Sequence, residues 1–153
     1  MYRSILFGAA LSGAIVPASA DATTVSFAGA VANLCVVTVT TPGVLAASST
    51  GTTLSSEETG GINASLAVVA TGTQPTITFS APDLTGPTAS TAGASKQIAF
   101  TSLGGANQGF VSSLTSYTLG RLIDTFTVKG KVSNTSGFVT GSYVLSSTVT
   151  CQQ

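Results

Sequence analysis

The chain carries five basic and five acidic side chains in 153 residues, no His and two Cys. That is 7% charged, against about 25% in an average soluble domain. Without His there is no Ser–His or Cys–His nucleophile, no His-ligated zinc and no imidazole acid–base pair. The one acidic pair, Glu57-Glu58, lies within Ser55-Ser56-Glu57-Glu58-Thr59-Gly60-Gly61. Adjacent residues on an extended chain point to opposite sides, so the two cannot work together across a glycosidic bond. They read as a solvated loop. Asp83 and Asp124 have no sequence reason to meet, and no S-x-x-K pattern surrounds Lys96. Arg121 and Asp124 read as surface charges at a strand start. Lys129 and Lys131 alternate with apolar neighbours, as lysines that guard a sheet edge do. Zero formal net charge and no basic cluster leave nothing to neutralise a nucleic-acid backbone. Three Tyr are too few for a sugar-stacking platform. The expectation is a non-enzymatic protein with no cofactor and no metal.

Such a chain must do its work through surfaces, and its first residues say where. Arg3 precedes an apolar stretch over residues 5–16, and Pro17-Ala18-Ser19-Ala20 ends in an A-x-A cleavage pattern. The stretch is shorter than the roughly 20 residues that span a bilayer, so residues 1–20 read as a secretory signal. Residues 21–153 then form a single domain, with four cations against five carboxylates and no membrane span. The expected location is periplasmic, extracellular or on the cell surface.

Export places Cys35 and Cys151 where a disulfide persists. Two Cys in an exported chain favour one internal bridge over two free thiols or an intermolecular link. Two thiolates without His make only half a tetrahedral metal shell. Asn63-Ala64-Ser65 and Asn134-Thr135-Ser136 fit the N-glycosylation pattern.

The elements that hold these residues follow a period of two. Val25, Phe27, Gly29 and Val31 alternate with small or polar residues. Cys35, Val37 and Val39 do the same. Residues 64–70, 76–80, 98–100 and 124–132 continue the rhythm, and Tyr143, Leu145, Ser147, Val149 and Cys151 fall on one side of a last strand. Thr, Val, Ile and Phe suit a pleated, half-buried surface. Turn signals at Pro42-Gly43, Gly60-Gly61, Gly72, Gly86-Pro87, Gly104-Gly105 and Gly137 separate the runs. About eight or nine antiparallel strands and no helix are expected, forming an all-β, immunoglobulin-like two-sheet sandwich. Residues 81–95 read as a long surface loop.

The stretch Thr23-Thr24-Val25-Ser26-Phe27-Ala28-Gly29-Ala30-Val31-Ala32-Asn33-Leu34-Cys35 resembles the mature N-terminus of chaperone–usher fimbrial subunits. Gly141-Ser142-Tyr143 and the alternation after it are similar to the last strand of those subunits and of spore-coat-U-like secreted proteins. The second Cys, third from the end, and the absence of a penultimate aromatic residue depart from the fimbrial pattern. The resemblance implies a sandwich lacking one strand, whose groove takes the N-terminal extension of another subunit. Residues 21–32 would be that donor strand, with Val25, Phe27, Gly29 and Val31 facing the groove. The alternative is that residues 25–31 are the first strand of the chain's own complete sandwich. The implied partners are copies of this chain or related subunits, and a periplasmic chaperone. Function is thus expected to be structural, as a pilin-like or coat-like subunit. The alternative is a monomeric exported module that binds carbohydrate or protein.

Overall fold

A computed structural model describes residues 24–153. The expected signal, residues 1–20, lies outside them. Twelve strands and one short helix follow in chain order: β1 (Leu34–Thr41), β2 (Ala46–Ala47), β3 (Thr53–Ser55), β4 (Ala64–Thr71), β5 (Thr76–Phe79) and β6 (Asp83–Thr85). The helix α1 (Thr88–Thr91) precedes β7 (Ser95–Ser102), β8 (Asn107–Val111), β9 (Thr115–Thr118), β10 (Ile123–Ser133), β11 (Val144–Ser146) and β12 (Val149–Gln152). All pairings are antiparallel. The all-β, sandwich-like expectation holds.

The first sheet is built around β10. Its early half pairs with β4, which carries β1, and its late half with β3, which carries β2. Its opposite edge pairs with β7, followed by β8. The second layer is β12-β5-β9, extended by β11-β6. The strand pairs β5–β12 and β6–β11 are one ribbon broken at Ser80 and Ser147. The break is stitched by hydrogen bonds: the Ser80 amide donates to the Thr148 carbonyl at 2.9 Å, and the Ser147 hydroxyl donates to the Ser80 carbonyl at 2.8 Å.

Inward-facing residues alternate along each strand as a half-wet sheet requires. Leu66 and Val68 of β4, Ile98 and Phe100 of β7 and Phe126 of β10 meet Ile77 and Phe79 of β5. Phe79 stacks on Phe100 at 4.6 Å between centroids, and Phe126 meets the two rings at 6.1 and 5.8 Å. Phe126 is fully buried. Phe126→Ala is therefore expected to cost about 3–5 kcal/mol, read as a lowered urea midpoint with an unchanged slope.

Three expectations are corrected here. Residues 81–95 are not one loop: they hold β6 and α1, with Leu84 and Ser90 buried. Lys129 and Lys131 guard no edge, because β10 is paired on both sides. Lys129 instead pairs with Glu57, and Lys131 lies over the Phe110 ring at 5.7 Å. Asp124 is buried, 3% exposed, at the inward parity it shares with Phe126. Its Oδ1 accepts from the Gly104 and Thr125 amides at 2.9 and 2.8 Å.

Candidate assembly groove

β1 ends the first sheet and β12 ends the second, and no ladder joins them. They are tied instead by a disulfide between Cys35 and Cys151, with α-carbons 5.9 Å apart. Stacked sheets normally lie about 10 Å apart, so the layers converge at this corner and leave no room between them. Both cysteines point inward against the core, as their alternation requires.

Away from the bridge the seam opens into a cleft of about 500 Å³. Val39 and Leu45 line one wall, and Tyr143, Leu145 and Val149 line the other. Leu66, Phe79, Ile98 and Val128 form the floor. Gly130 also belongs to it, where a Cβ would stand 3.0 Å from Leu145 and 3.4 Å from Leu45. The missing side chain lets both leucines reach across. Val39 shares the inward parity of Cys35 and Val37, yet it is 60% exposed. No described residue covers this stretch of the seam. The cleft is therefore a wedge, closed at the disulfide and open towards residues 42–45 and 143–147.

The alternating segment before β1 stands outside the body of the domain. Residues 24–33 form no strand. Val25 is 72% exposed, Phe27 94% and Val31 78%. Gly29 has room for a Cβ with no atom within 4 Å. The Thr71 hydroxyl donates to the Ala32 carbonyl at 2.7 Å and accepts from the Leu34 amide at 3.1 Å, which fixes the approach to β1. The first strand among the described residues begins at Leu34, and Val25, Phe27 and Val31 before it stay largely exposed.

The ionisable residues are dispersed. Asp83 pairs with Lys96 at 3.4 Å and Glu57 with Lys129. Among the described residues no three of Cys, Asp and Glu gather as metal ligands would. Of the two sequon asparagines, Asn134 is 8% exposed and its amide donates to the Ser90 carbonyl at 2.8 Å. It is a structural clamp on α1 and cannot present itself to a glycosyl carrier. Asn63 accepts from the Ser56 hydroxyl at 2.6 Å. The groove was not legible in the sequence as a site. Its signal is the parity of Val39 and Val149, which face inward near chain ends that do not pair.

No helix among the described residues is long and apolar enough to cross a membrane. In comparisons with known proteins, no family model, no curated protein and no solved structure matches this chain.

Proposed function

We propose that the chain is an exported, non-enzymatic structural subunit of a cell-surface assembly, pilin-like in mechanism. One copy donates residues 21–32 to the groove of the next. The observation that carries this reading is a complementary pair of features: an apolar wedge along an unpaired seam, and an alternating segment whose described apolar residues, Val25, Phe27 and Val31, are largely exposed. Burying a Val or Phe side chain contributes about 1.5–3 kcal/mol each, so Val25, Phe27 and Val31 together offer a substantial drive. Backbone pairing with the free edges of β1 or of β11–β12 supplies the rest. The small residues between them, Ala28, Gly29 and Ala30, let the strand lie close to its host.

A groove of this kind exposed in transit would pair with any available strand. A periplasmic chaperone that lends a strand until assembly is the expected partner, consistent with the resemblance to fimbrial subunits. The test is the exported chain carrying Phe27→Asp, compared with the unaltered chain by size exclusion and electron microscopy. The unaltered chain is expected to give ladders or filaments and the variant a single monomeric species. A unaltered chain that stays monomeric at every concentration would favour the monomeric binding module instead.

A further inference from the structure

We infer that successive copies also meet outside the groove, an apolar patch beside the start of β1 on one copy resting on the groove mouth of the next, with Arg121 opposite Glu58. This contact rests on the strand-donation reading above. The patch is a row running straight across the outer face of the first sheet. Val36 stands opposite Val69, and Val69 opposite Ile123. They are 44%, 47% and 65% exposed, and Leu34 at the head of β1 is 56% exposed. The next row on the same face is Thr38, Ala67 and Thr125. Large apolar surface on these strands is thus gathered at the end where residues 24–33 leave. Scattered exposed apolar residues are ordinary, whereas a contiguous set marks a contact surface.

A second set lies at the other end of the seam. Val44 and Ile62 are joined by an isolated bridge and are about half exposed, and Val44 also lines the groove. The occupant of the first patch follows from the length of the tether. With Val31 seated in the next copy's groove, only Ala32 and Asn33 separate it from Leu34. Three residue steps reach at most about 10–11 Å, so the acceptor's rim must stand against the donor's first row.

Charge agrees with this orientation. Arg121 is exposed two residues before Ile123, and Glu58 closes a turn onto Gly61 beside Ile62. Neither has an ion-pair partner among the described residues. A cation therefore flanks the first patch and an anion the second. Two different surfaces meeting head to tail make a heterologous contact, which propagates as an open filament unless its rotation closes a ring.

The experiment uses the mature exported chain with Arg121→Glu, with Glu58→Arg, and with both changes. Assembly is followed by light scattering at low salt, and binding of a synthetic peptide spanning residues 23–33 is measured on each variant. Peptide binding is expected to be unchanged throughout. Each single change should slow assembly about tenfold, and the double change should return it to within about threefold of the unaltered chain, because the opposed pair is restored with its signs exchanged. Single variants that assemble at the unaltered rate, or a double variant slower than either, would overturn the contact while leaving strand donation in place. Failure of the peptide to bind the unaltered chain would overturn strand donation and this contact together.

Discussion

An exported chain lacking residues 21–32 is expected to fold to a monomer and to lose assembly completely. The structure gives the reason in two parts. Val25, Phe27 and Val31 are largely exposed and contribute little buried area, and among the described residues one side-chain hydrogen bond reaches back from the body to this segment, Thr71 to the Ala32 carbonyl. Losing such a bond costs about 0.5–1.5 kcal/mol, within reach of ordinary surface substitutions. On the strand-donation proposal assembly is lost outright, since the truncated chain would keep its groove and have nothing to donate. Adding the peptide of residues 23–33 at about 100 times its dissociation constant should raise stability by about 2.7 kcal/mol, seen as a higher thermal midpoint. The peptide should not restore polymers, because it caps each groove. A truncated chain that fails to fold would instead make Val25, Phe27 and Val31 part of the chain's own sandwich.

Most of the framework was readable from period-two alternation. The alternating runs supply Cys35, Val37, Leu66, Val68, Ile77, Phe79, Phe100, Phe126 and Val132 to the core or its margin, whereas Val39, at the parity of Cys35, is 60% exposed. Parity also placed both sulfurs inward, and the bridge forms. What alternation does not carry is the identity of the neighbouring strand. Residues 25–31 alternate as cleanly as any strand in the body, yet they form no strand with the other described residues. A pleated, half-apolar segment declares that it fits a sheet surface, not which sheet.

The remaining misses have the same origin. Lys129 and Lys131 suggested an edge because exposed lysines serve edges, but β10 is the central strand and its outer face is wet. Asp124 reads in the sequence as a surface charge, yet it stands at the parity of Phe126 and is buried. Two backbone amides from the adjoining turn and strand hold its Oδ1, while its Oδ2 is buried without a hydrogen-bond partner among the described residues. The strand Asp83–Thr85 has one large apolar residue, Leu84, too short a signal to separate from loop. It becomes a strand because β11 runs beside it, with Leu145 opposite Leu84.

Removing the disulfide is expected to have the largest effect on stability of any change that leaves the core residues in place. The bridge spans a sequence separation of 116 residues, nearly the whole domain. On a chain-entropy account, a loop of about 100 residues contributes about 4–5 kcal/mol by restricting the unfolded chain. Domains of this kind have total stabilities of about 5–15 kcal/mol, so the bridge is a large share. In the folded state it is also the tie between the last strand of each layer at the seam, since β1 and β12 share no ladder. The chain with Cys35→Ala and Cys151→Ala, and the unaltered chain under reductant, should both show a urea midpoint lower by roughly 2–2.5 M, taking a slope of about 2 kcal/mol/M. Hydrogen exchange should accelerate first in β12, whose one ladder partner among the described residues is β5, while β4, held between β1 and β10, keeps its protection. A midpoint shift worth less than about 1 kcal/mol would show that the apolar contacts of β1 and β12 with the core close this corner unaided. In that event the wedge would owe its closed end to packing and not to the covalent tie.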